Sequence, residues 1–194
     1  MHSASDHIMV RNGWACRLSI AIVLFAVGLG AQAQNKCSAT GVMAGLKFAA
    51  NNCAVALSSG QHSVAVWFNE EPISAQEAQD FQASGAVEVT KNGKQRTLVL
   101  ITFCPGGGAA SASAGAVKAI SLTTNHAKSL LAGIQWTVKS PKDFKLESLT
   151  GEVKPGGALA GRIVGKWHKT TWDLTFDLKL PATTDAAQGM DCGA

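Results

Sequence analysis

The run LVLITF at residues 98–103 constrains the fold of this chain more than any other stretch. Successive side chains of an extended backbone point to opposite faces, so Leu98, Leu100 and Thr102 share one side while Val99, Ile101 and Phe103 share the other. Both sides are apolar. A strand of that kind lies between two layers, each covering one of its faces, and is the natural centre of a fold. Cys104 anchors its end, and Pro105-Gly106-Gly107-Gly108 then breaks it.

The flanking signals are those of short antiparallel strands. Residues 53–58 and 63–69 flank the turn Ser58-Ser59-Gly60-Gln61 and read as a hairpin. In its second arm Val64, Val66 and Phe68 alternate with Ser63, Ala65 and Trp67, so one face is the more apolar. Ser74-Ala75-Gln76-Glu77 is a capping box, in which a hydroxyl and a carboxylate satisfy free backbone N–H groups at a helix start. It predicts one short helix over 75–82 with Ile73, Ala78 and Phe81 on the buried side. Two turns are marginal alone, so this helix must lean on the sheet. Asn92-Gly93 supplies the two positive φ angles of a type I′ turn, which sets Val89 opposite Arg96 and Val87 opposite Leu98.

Residues 34–50 read as at most one short edge strand, because Gly41 and Gly45 interrupt a mild apolar pattern. From Gly133 onward the alternation is cleaner, through Ile134, Trp136 and Val138, then Phe144 and Leu146, then Leu159, Gly161, Ile163, Gly165 and Trp167. Trp172, Leu174, Phe176, Leu178 and Leu180 finish it, with Asp173, Thr175, Asp177 and Lys179 on a wet face. Gly161 and Gly165 leave room for the rings of Trp167 and Trp172 or mark bends. These spacings predict a mainly β protein, an antiparallel β-sandwich or flattened barrel of eight or nine strands, over residues 34–181.

Residues 1–33 read as a secretory leader. Arg11 and Arg17 precede an apolar stretch at 18–29, and Ala31-Gln32-Ala33 offers the small residues of a cleavage site. That stretch is too short to span a bilayer, and no later run reaches the length a membrane helix needs. Cleavage leaves 161 residues, enough for one domain with a substantial core. The tail at 182–194 is expected to be flexible unless Cys192 tethers it. The four remaining cysteines suit an oxidising compartment. The expected pairs are Cys53 with Cys104, joining two strand ends, and Cys37 with Cys192, tying both tails to the body.

Charge excludes one class of partner. The chain carries a net charge of +4, which falls to +3 when Arg11, Arg17 and Asp6 leave with the leader; this is too mild for a nucleic-acid binder. The acidic side chains are unevenly placed, since residues 48–89 hold Glu70, Glu71, Glu77, Asp80 and Glu88 with no Lys or Arg.

No pattern announces catalysis or a cofactor. Gly106 and Gly107 could cradle an anion through converging N–H groups, although no lysine follows at P-loop spacing. His62, His126 and His168 all fall near predicted turns and would make a metal site only if folding gathered them. Ser58 or Ser59 near His62 lacks a nucleophile elbow, and Asp173 with Asp177 reads as a solvated stripe as readily as an acid–base pair. Trp67, opposite the apolar side of its strand, is a candidate binding platform. The leading expectation is an exported non-enzymatic β-sandwich that binds a partner protein or cell-envelope component through the acidic stretch Glu70 to Glu88, with Glu70 and Glu71 foremost, through Trp67 and through the Gly106-Gly107 loop. The alternative is a small secreted hydrolase or metal-binding protein.

Overall fold

Alternating apolar residues give a strand one dry face, and two sheets meeting on their dry faces give a sandwich. The computed structural model describes residues 35–58, 63–105, 117–128, 134–138, 144–167 and 169–182, all within one compact unit, Ala31–Ala194. The first sheet contains β1 (Lys36–Met43), β2 (Leu46–Ala50), β10 (Phe144–Gly151), β11 (Ala158–Trp167) and β12 (Thr170–Lys179). Its order is β10-β11-β12-β1-β2. The second contains β3 (Asn52–Ser58), β4 (Ser63–Asn69), β7 (Leu98–Pro105), β8 (Val117–Asn125) and β9 (Ile134–Val138), in the order β3-β4-β7-β8-β9. A separate two-stranded hairpin, β5 (Thr90–Lys91) with β6 (Lys94–Gln95), and one helix, α1 (Ala75–Ser84), complete the described elements. All the pairings are antiparallel.

The expected sandwich is therefore what the chain forms, and LVLITF lies where its two apolar faces require. β7 is the middle strand of its sheet, between β4 and β8. Val99 and Ile101 face the first sheet within a core that also holds Val64, Val66, Phe68, Leu122, Ile163, Leu174 and Phe176. Leu98 and Leu100 face the other way and pack with Trp67 and with Phe81 of α1. The layers are thus sheet, sheet and helix.

Three expectations need correction. Residues 34–50 form two strands rather than one. Ala44 and Gly45 turn the chain with φ of 49° and 86°, and β1 is interior, paired with both β2 and β12. The Asn92-Gly93 turn forms, with φ of 51° and 74°, and Arg96 N–H still donates to Val89 O at 2.9 Å. The ladder stops there, because Leu98 is already paired with Asn69 and Asn125 in the second sheet. A strand committed on both edges has no bonding groups left for Val87.

The cysteine pairing also differs. Cys37 is bonded to Cys53, with their Cα atoms 6.3 Å apart, so neither expected pair forms. The reason is topological: the chain leaves β2 at one sheet and enters β3 at the other, and the bridge fastens the sheets at that crossing. Cys192 and the side chain of Cys104 lie outside the described residues, as do the leader and the tail from 183. A bridge spanning 16 residues restricts the unfolded chain by about 3 kcal/mol in the loop-entropy model. The double substitution Cys37→Ser, Cys53→Ser should lower stability by about that amount in urea unfolding monitored by circular dichroism.

Candidate functional site

On the outer face of the second sheet, β3 and β4 present the small side chains of Ala54, Ala56 and Ala65 beside the large Trp67, and β7 adds Leu98 and Leu100. Small residues let a helix approach closely, and α1 does so. Ser74 is its N-cap; the hydroxyl accepts the Glu77 N–H while the Glu77 carboxylate accepts the Ser74 N–H, as the capping box requires. The helix runs two residues past the expected Gln82. It stops at Gly85, whose φ of 67° permits the left-handed cap and whose N–H donates to Phe81 O at 2.7 Å. Phe81 is the helix residue fully buried. Its ring meets Trp67 edge-on, with centroids 5.7 Å apart and planes at 65°.

Glu77 links this helix to the hairpin beside it. Its carboxylate accepts from Ser74 N at 2.9 Å, Ser74 Oγ at 2.7 Å, Lys91 Nζ at 2.9 Å and Arg96 Nη1 at 2.8 Å. Burial is the largest single influence and pushes the Glu77 pKa up, but the donors from Ser74, Lys91 and Arg96 together hold it at about 2, below its ordinary 4.5. A depressed carboxylate stabilises the fold above its unfolded pKa and loses that contribution as pH falls toward the folded value. Between about pH 5 and pH 2 the wild type should therefore lose on the order of 2 kcal/mol of stability through this group, allowing for its partial exposure. Glu77→Gln should be less stable at neutral pH and flatter over that range, as read from urea midpoints.

Arg96 closes the arrangement from below. It is only 4 % exposed, and its Cζ lies 4.8 Å from the Trp67 ring centroid, within cation–π range. Of its three guanidinium nitrogens, Nη1 serves Glu77, while Nε and Nη2 have no hydrogen-bond partner among the described residues. Trp67 Nε1 has none either. A cavity of about 340 Å³ opens between α1 and residues 86–88, lined by Arg96, Trp67, Phe81, Val87 and Ala86 and by the polar Ser84, Glu77, Asp80 and Glu88. Buried donors without acceptors are uncommon because each costs its desolvation energy. Here three such donors belong to two residues that line the same cavity.

No protein-family model, curated protein or solved structure matches the chain.

Of the residues singled out in the sequence, Trp67 is in this site, but not as an exposed platform: it is 2 % exposed because α1 covers it. Glu70 and Glu71 lie elsewhere. Glu70 Oε1 accepts the Ala49 N–H at 3.0 Å, and the Glu71 carbonyl accepts Asn69 Nδ2 at 2.7 Å. His126 is buried with both ring nitrogens engaged, Nε2 3.3 Å from Lys47 O and Nδ1 accepting the Lys128 N–H at 3.1 Å. Those bonds leave it no lone pair for a metal. Among the described residues no group of three His, Cys, Asp or Glu side chains could hold a metal ion. His62, His168, Gly106 and Gly107 lie outside the described residues.

Glu70 and His126 share a different task. Lys47 and Ala49 are two apart on β2, so their outward backbone groups line the strand's free edge. The carboxylate takes the N–H and the imidazole takes the carbonyl, which covers an edge that would otherwise invite a second chain. Asp173, on the outer face of the first sheet, receives Arg162 Nε at 3.0 Å and Nη2 at 2.7 Å. That hydrogen bonding from Arg162 lowers its pKa. Asp173 is thus half of a surface ion pair. Asp80 and Glu88 fall in the acidic stretch that the sequence offers as a contact region, whereas Arg96 was not singled out there. Arg96 had a usable signal, since a charged side chain beginning a doubly apolar strand has to find partners.

Proposed function

We propose that this chain is an exported, non-enzymatic binding protein of the bacterial periplasm or exterior, which takes a group of a partner protein or envelope component into the cavity beneath α1. The observation that carries this reading is the pair Arg96 and Trp67, buried in the cavity wall with three unpartnered donors. Such donors fit a site completed by an incoming acceptor. The acidic segment around it offers Asp80 and Glu88 at the rim. Export is supported by the leader pattern in residues 1–33 and by a disulfide, which suits an oxidising compartment. Among the described residues no helix is long and apolar enough to cross a membrane.

The test is site-specific photocrosslinking in cells. A benzophenone side chain at Ser84, on the cavity wall, should give a discrete adduct. The same probe at Thr175, on the outer face of the first sheet, should give none. Equal adducts from both positions, or none from Ser84, would overturn the reading.

A further inference from the structure

We infer that the group this cavity receives is an amino-acid-like zwitterion, with its carboxylate taken by Arg96 and Trp67 and its ammonium by Asp80 and Glu88. This rests on the cavity being the binding site proposed above. Nε and Nη2 form one edge of the guanidinium, and that edge matches the two oxygens of a carboxylate in a bidentate pair. The indole N–H is a donor only, so all three unpartnered groups ask for the same thing, an acceptor.

The rim argues against a simple anion. Glu77 is neutralised by Lys91 and Arg96, but Asp80 and Glu88 line the cavity, are exposed, and no ion pair is formed by either among the described residues. Among the described residues the Asp80 carboxylate accepts only from a neutral amide, Gln76 Nε2 at 2.8 Å. A lone carboxylate entering here would pass the carboxylates of Asp80 and Glu88, neither of them ion-paired among the described residues, whereas one that carries its own ammonium would meet complementary groups at both ends. A volume of about 340 Å³ is at the small end of ligand sites and suits one residue-sized group. The apolar wall of Phe81 and Val87 suits an aliphatic side chain. The unpartnered nitrogens are shielded from solvent, so the carboxylate reaches them by displacing part of the wall. Residues 86–88, which have no regular secondary structure, are the part able to yield.

The experiment titrates the mature ¹⁵N-labelled protein with leucine, N-acetylleucine and leucinamide. It follows the indole N–H resonance of Trp67, assigned from Trp67→Phe. Leucine should shift that resonance with an apparent Kd at least about ten-fold tighter than either blocked form, the loss expected when one charge-assisted contact is removed. Glu88→Gln changes an exposed side chain and should leave the fold intact; it should reduce the preference for leucine over N-acetylleucine, and Asp80→Asn with Glu88→Gln should erase it. N-acetylleucine or leucinamide binding as tightly as leucine, or no shift with leucine at tens of millimolar, would overturn the inference. A crosslink from Ser84 together with no response to leucine would overturn this inference alone and leave the cavity as a site for other chemistry.

Discussion

Gly165→Val should destabilise the protein by about 3 kcal/mol, the upper end of what overpacking a core costs, although valine is the better strand former. Gly165 pairs directly with Trp172 across β11 and β12. A Cβ at that position would fall inside the indole, against Cε2, Cζ2 and Nε1 of Trp172. The indole has nowhere to go, because Trp172 is 4 % exposed within the intersheet core and packed interiors leave few voids. Intrinsic β-propensity favours valine over glycine by up to about 1 kcal/mol, so propensity and packing predict opposite signs. Urea unfolding of Gly165→Val decides between them. A second measurement isolates the cause: in a Trp172→Leu background the added valine should cost less than half as much. An equal cost in both backgrounds would show that the backbone of β11, rather than the ring, requires glycine.

That pair also shows what can be read from a sequence of this kind. An alternating strand with glycines facing aromatic residues on the next strand implies that rings fill the missing side chains. The structure bears this out for Gly165 with Trp172; for Gly161 the ring that takes the space is that of Phe176, 2.7 Å from where a Cβ would sit, and the side chain of Trp167 lies outside the described residues. The doubly apolar LVLITF run, the capping box at Ser74 and the Asn92-Gly93 turn were legible for the same reason. Each is a local pattern whose physics requires a particular local structure.

What was not legible depends on contacts distant in sequence. The β1–β2 hairpin was hidden because its turn, Ala44-Gly45, lacks the Asn-Gly or Asp-Gly signature, although both residues take positive φ. Missing that hairpin also lost the disulfide. The register that pairs Ala39 with Ala50, continued by two residues, brings Cys37 level with Asn52 and beside Cys53. The candidate site was hidden differently. Glu77 could be assigned to the helix cap from sequence alone, but its ties to Lys91 and Arg96 cross 14 and 19 residues. No local pattern reports them. Glu70 and His126 look like free surface chemistry in sequence and serve as covers for a strand edge only once β2 has been placed beside them.

Phe81→Ala should release α1 from the sheet while leaving the two-sheet core folded, with a loss of about 3 to 5 kcal/mol in the docking of that layer. The helix has ten residues, and Phe81 is its fully buried side chain. Helices of that length are marginal in water, so its order depends on the contact with Trp67, Leu98 and the alanines of β3 and β4. The Glu77 clamp to Lys91 and Arg96 is partly exposed and cannot substitute for a lost ring. The intersheet core contains no residue of α1, which separates the two layers energetically. Hydrogen exchange reads this separation directly. Amides of α1 should lose nearly all protection in Phe81→Ala, while those of β4, β7, β11 and β12 keep most of theirs. The cavity should disappear with the helix, so the Trp67 indole N–H should stop responding to leucine in the same variant. A uniform fall in protection across both sheets would instead make α1 an integral part of one cooperative unit, and the site beneath it could not open without unfolding the protein.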